Sequence, residues 1–168
     1  MIIKVKIFIS HKEEDKLDAE QVAEYLKTHS NGVSCYLDVL DSGLLSHEGD
    51  DLGEYFRKKL GECTHLMAVV SEDTKSSWWV PFEIGIATEK QYPISTFAIQ
   101  DTNLPSYLKK WPYLRDESDL DKYIHVALST QPHILTEGLE KATVSEKGSY
   151  TRTFHKDLKK ALRQADEH

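Results

Sequence analysis

Four apolar runs set the frame of this chain: IIKVKIFIS (2–10), VSCYLD (33–38), HLMAVVS (65–71) and ISTFAI (94–99). A stretch of helical period follows each of the first three. Ala19, Val22, Ala23 and Leu26 share one face of a helix over about 14–29, and Leu52, Tyr55, Phe56 and Leu60 mark a second. SSWWVPFEIGIA (76–87) opens a third helix that runs to about Lys90. Strand then helix, repeated, leaves few solutions: the strands lie parallel and the connections are right-handed crossovers. The expected fold is α/β, a flavodoxin-like, doubly wound five-stranded parallel sheet of order 2-1-3-4-5. HLMAVVS, the most continuously apolar run, suits its centre.

The pattern weakens after residue 99. Residues 104–111 read as a short helical turn and PYLR (112–115) as a marginal fifth strand, while Leu120, Tyr123, Ile124, Ala127 and Leu128 make another helix. Residues 130–148 carry Pro132, two glycines and no clear period, and read as a loop-rich connection. Phe154, Leu158, Ala161, Leu162 and Ala165 predict an extra C-terminal helix on the outside of the domain. The division expected is a domain over 1–129 and an extension over 130–168 packed on it.

The chain has 168 residues, 39% apolar and 29% charged, with net charge −7 and its acids and bases interspersed. No Lys/Arg cluster tracks a phosphate backbone, so nucleic acid is not an expected partner. No apolar stretch approaches the roughly 20 residues of a membrane span, and MIIKVKIFIS lacks a continuous signal-peptide core. A cytoplasmic domain away from membranes is expected. Cys35 and Cys63 read as small core residues in a reducing compartment, with a disulfide as the other reading.

Several chemistries lack their residues. No Gly-x-Gly-x-x-Gly follows the first strand and no Gly-x-x-x-x-Gly-Lys is present. His47-Glu48 has no second histidine at metal-ligand spacing, so no metal is expected. Asp38, Asp41, Glu48, Asp50 and Asp51 form an acidic loop that matches no calcium loop and reads as a solvated face. Glu72-Asp73 sits where a phosphoacceptor receiver would want acids, but Ser10-His11 and PYLR offer neither the further acids nor the lysine it needs. Ser10 and Ser71 lack a nucleophile-elbow context.

What remains is the rim where strand order reverses, beyond the carboxyl ends of the strands, where such sheets bind ligands. From Trp78 to Thr88, Glu83 is the only ionisable side chain. Pro81 fits only a first helical turn, which puts the helix start near Ser77 or Trp78 and Glu83 within about two turns of it. Trp79 and Glu83, four residues apart, share a face. Looking out together over the strand ends, they suit a ligand with a flat cationic ring and hydroxyl groups. The plainer readings are that these tryptophans anchor a core, and that Glu83 pairs with the helix dipole or with a lysine such as Lys12.

KIFISHKEED, CYLDVLD, HLMAVVS and SSWWVPFEIGIA, in this order and spacing, resemble a Toll/interleukin-1 receptor (TIR) domain of the stand-alone prokaryotic, Thoeris-like antiviral-defence kind, over roughly residues 3–128. Pro81 within the motif and the doubled tryptophan depart from the family pattern; the four-residue spacing favours Trp79 over Trp78. The resemblance implies an enzyme that cuts the nicotinamide–ribose bond of NAD⁺, giving ADP-ribose, cyclic isomers or transfer products. NAD⁺ is then a substrate, and no cofactor is expected. By position, Glu83 is the catalytic carboxylate, and Trp79, Ser10, His11, Lys12 and Asp38 bind substrate. The 39–49 loop would mediate homotypic assembly, and a separate effector protein could read a nucleotide product. The alternative is a non-catalytic TIR scaffold.

Overall fold

Side-chain alternation along the strands decides the layers. The computed structural model describes residues 4–39, 51–138 and 141–165. The strands are β1 (Val5–His11), β2 (Val33–Val39), β3 (His65–Val70), β4 (Ile94–Ala98) and β5 (Tyr113–Leu114). They form one parallel sheet of order β2-β1-β3-β4-β5. The helices are α1 (Lys16–Thr28), α2 (Asp51–Gly61), α3 (Trp79–Glu89), α4 (Glu117–Ser129), α5 (Pro132–Glu137) and α6 (Val144–Ala161). Val5, Ile7 and Ile9 of β1 pack with Met67 and Val69 of β3 against α1, α4 and α6. Phe8, Leu66, Ala68 and Val70 point the other way, against α2 and α3. Strands apolar on both faces need helices on both, as the doubly wound order requires.

The register Ser10↔Ala68 sets β1 beside β3, where the chain order reverses. In sheets of this kind ligands bind at that reversal, here between the β1–α1 loop and the β3–α3 loop. Among the described residues no helix is long and apolar enough to cross a membrane. Cys63 is buried, Cys35 is half-buried, and both are free thiols.

The C-terminal part departs from expectation. Residues 130–148 are not only a connection: Pro132 occupies the first turn of α5, and α6 already begins at Val144. Thr143 caps α6 by accepting the Glu146 N–H at 3.1 Å. Gly148 lies inside that helix, where a Cβ would meet Gln91 Oε1 at 2.7 Å and oblige that side chain to move. The helix reaches deeper than an outer decoration would. Tyr150, Phe154 and Leu158 are fully buried in the core on the α1 side. Their helix closes the amino ends of the strands: Tyr150 Oη pairs with His65 Nε2 at 3.0 Å and donates to the Ala127 carbonyl at 3.2 Å. The Ile94 N–H donates to His155 Nε2 at 2.8 Å. The Gln164 amide accepts from Tyr113 N–H at 3.1 Å and donates to Tyr113 O at 2.6 Å, extending the ladder past β5.

Candidate active site

Helix α3 is built to enter the rim at a fixed angle. The polar turn 71–77 precedes it, and the Trp79 N–H donates to Ser77 Oγ at 3.3 Å. Pro81 falls in the first turn, where its missing N–H costs nothing. From there Trp79, Val80, Glu83, Ile84 and Ala87 form one buried stripe against the sheet. Trp79 and Glu83 therefore do share a face, but it is the inward one: each is 2% exposed, while Trp78 is 58% exposed. The outward-looking indole is Trp78. The physical reason is the helix's composition, since an element apolar almost all round turns its widest apolar stripe to the sheet and takes Glu83 with it.

Trp79 packs against Phe82 with ring centroids 5.1 Å apart and meets Trp78 edge-on at 5.1 Å. Its indole Nε1 is buried and has no hydrogen-bond partner among the described residues. Buried polar groups are nearly always paired, and this one lies one helical turn from the buried Glu83 carboxyl.

The β1 residues divide between the two faces. Ser10 is buried and follows the alternation of Phe8, toward the α3 side of the sheet. His11 is buried and alternates with Ile9, toward α1. Its charged neighbours are Asp15, Glu13 and Glu20, at the start of α1. Burial pushes its pKa below the usual histidine value, against the smaller pull of the Ile9 backbone, which is not in hydrogen-bond geometry with the ring. Lys12 is half-buried, and its carbonyl accepts the Asp15 N–H at 2.9 Å. Asp38 lies in β2 opposite Ser10 in the register. The acidic and assembly loop expected over 39–49 lies outside the described residues but for Val39. Alternation thus turns Ser10 toward the α3 side of the sheet and His11 toward the α1 side.

Two residues at this rim escape a reading of spacing. Asp15 and Thr74 are both buried, and the Thr74 hydroxyl donates to Asp15 Oδ2 at 2.6 Å. Thr74 Oγ1 also accepts the Ser71 N–H at 2.9 Å. Asp15 is the third acid of Glu13-Glu14-Asp15, and nothing in the sequence separates it from its solvated neighbours. Glu72 is bound elsewhere: it pairs with Lys75 and accepts the Asn103 N–H at 3.1 Å, and these contacts lower its pKa. Among the described residues no three His, Cys, Asp or Glu side chains gather as a metal site.

A family model described as TIR domain matches residues 7–129. No curated protein matches the chain.

Proposed function

The chain belongs to the TIR domain family, and from that premise we propose that it is an NAD⁺ nucleosidase, a glycohydrolase or cyclase acting on the nicotinamide–ribose bond. TIR domains commonly self-associate and bind NAD⁺. The observation that carries the reading for this chain is the pairing on α3: a buried carboxyl one turn from a buried indole whose N–H is unpaired, beside the switch point of the sheet.

Nicotinamide in NAD⁺ is already a cationic leaving group, so its expulsion needs no strong acid. The C–N bond breaks with its electron pair going to the ring nitrogen, which becomes neutral, and positive charge develops on the ribose. A carboxylate in an apolar surround stabilises that oxocarbenium-like state far better than it could in water. Glu83 is assigned that role, bonded to the ribose hydroxyls, and Trp79 the wall of the nicotinamide–ribose site. Water then captures the sugar carbon and releases a proton, giving ADP-ribose; capture by an atom of the same molecule gives a cyclic isomer. Ser10, His11, Lys12 and Asp38 are proposed to bind substrate. In this reading the product is a signal for a separate effector protein, or NAD⁺ is simply depleted, in prokaryotic antiviral defence. Assembly of like chains through the 39–49 loop completes the proposal.

One observation favours the second reading, a non-catalytic interaction module: with Trp79 and Glu83 each 2% exposed, neither presents surface to a ligand as the chain stands. Purified protein incubated with NAD⁺ over a range of protein concentrations separates the two. Release of nicotinamide by the wild type and its loss in a folded Glu83→Gln variant support the enzyme. A wild type indistinguishable from Glu83→Gln in every assembly state eliminates it.

A further inference from the structure

The buried contact between Asp15 and Thr74 has a reach beyond the two side chains. Asp15 occupies the position just before α1, where an aspartate ordinarily turns its carboxylate to the first N–H groups of its own helix. Here its side chain makes no such cap bond. Its Oδ2 instead accepts the Thr74 hydroxyl at 2.6 Å, from 59 residues further along the chain. Capping by Ser, Thr, Asp or Asn stabilises a helix, so the cross-rim bond stands in place of a stabilising local one.

From Thr74 the connection continues without a break. The Thr74 carbonyl accepts the Ser77 N–H at 3.0 Å, and Ser77 Oγ accepts the Trp79 N–H at 3.3 Å. Asp15 is thereby tied, through three hydrogen bonds, to the first residue of the helix that carries Trp79 and Glu83. On its other side its N–H donates to the Lys12 carbonyl at 2.9 Å, across the turn formed by Glu13 and Glu14. The bond spans the place where β1 and β3 lie adjacent and the chain order reverses. Burial of both partners keeps water from competing for it.

We propose that Asp15 is a positioning residue for the Trp79–Glu83 pair, acting through Thr74 and Ser77 and not by touching substrate. This rests on the reading of Glu83 as the catalytic carboxylate. A rigid relay to the start of α3 sets where that carboxylate stands against the sugar, and displacements of about 1 Å in such geometry cost up to about 100-fold in rate.

The test is a double-mutant cycle read by nicotinamide release, joined to hydrogen exchange. Thr74→Val and Asp15→Ala are each expected to lower kcat about 10-fold or more, with KM for NAD⁺ little changed. The double variant should be no slower than Asp15→Ala alone, because one relay is broken in either case. Thr74→Ser, which keeps the hydroxyl, should restore most of the rate. Exchange of the Ser71, Ser77 and Trp79 amides should quicken in Asp15→Ala while the β1 and β3 amides stay protected. The proposal is overturned by wild-type turnover in Thr74→Val, by additive losses in the double variant, or by Thr74→Ser as slow as Thr74→Val. A wild type that releases no nicotinamide sinks the enzymatic reading alone. The relay is then judged by exchange, and unchanged protection of those three amides in Asp15→Ala overturns it.

Discussion

Lowering the pH from 7 to 5 is expected to remove about 4 kcal/mol of folding stability, and two histidines at the amino ends of β3 and β4 account for it. His65 is fully buried, its Nδ1 at 2.7 Å from Thr64 Oγ1 and its Nε2 at 3.0 Å from Tyr150 Oη. Burial, with the nearby His155 adding to it, holds the His65 pKa down at about 3. Burial and the charge of Lys159 bring His155 to about 4. In the unfolded chain both rings titrate near 6.5. A folded pKa below the unfolded one means that the unfolded chain binds more protons, so stability falls as the pH falls. The loss starts near pH 6.5, grows by about 1.4 kcal/mol per pH unit for each ring, and stops at the folded values. Between pH 7 and 5 each ring contributes about 2 kcal/mol, a large share of the roughly 5–15 kcal/mol that holds a domain together.

Urea unfolding at pH 7, 6 and 5, followed by tryptophan fluorescence, measures this directly. In His155→Gln the side-chain carbonyl can still accept the Ile94 N–H, and the same pH change should cost about 2 kcal/mol less. His11, pushed the same way by burial, steepens the slope in both proteins and drops out of the comparison. A wild-type stability constant to within about 1 kcal/mol over this range, or a variant with the wild-type slope, refutes the reasoning.

The two adjacent tryptophans should behave oppositely. Trp79→Ala removes a fully buried ring and should cost about 3–5 kcal/mol in chemical denaturation, whereas Trp78→Ala, at an exposed position, should change stability by about 0.5 kcal/mol or less. Gln164→Ala breaks both bonds to Tyr113 and should cost about 1–3 kcal/mol, with faster hydrogen exchange at the Tyr113 amide as its local signature. Burial pushes the Cys35 thiol up to about 12 and Cys63 to about 11. Neither should react with iodoacetamide at pH 8 until the protein is unfolded, as mass spectrometry of the alkylated chain will show.

The sheet was legible because β1 to β4 are apolar runs with turn residues behind them, and such runs have one economical arrangement; the two-residue β5 was only marginal. The reversal between β1 and β3, and with it the rim, followed from that order. The start of α6 was hidden by Gly148, which looks like a breaker and is in truth a close contact with Gln91. A signal was present all the same: Thr143-Val144-Ser145-Glu146 is a capping box, and Thr143 does cap Glu146. The shared face of Trp79 and Glu83 was legible from their spacing. Its inward direction was not, because period says which residues lie together and only the surrounding layers say which way they turn. His11 and Ser10 are neighbours at the carboxyl end of β1 and alternate between its faces, a difference that a motif naming both does not show. Asp15 was beyond reach, since its partner Thr74 is fixed only by the pairing of β1 with β3.

Helix α6 is the last described element that a ribosome makes, yet Tyr150, Phe154 and Leu158 complete the core around residues from β1 and β3. At about 5–20 residues per second, roughly 2–7 s separate the synthesis of residue 130 from that of residue 165. Throughout that interval the flank of the nascent sheet that α1 and α4 leave open stays greasy and bare, with a wet His65 ring beside it. Birth of this protein therefore includes an obligatory vulnerable period, long enough for a chaperone or a protease to intervene before the final helix arrives.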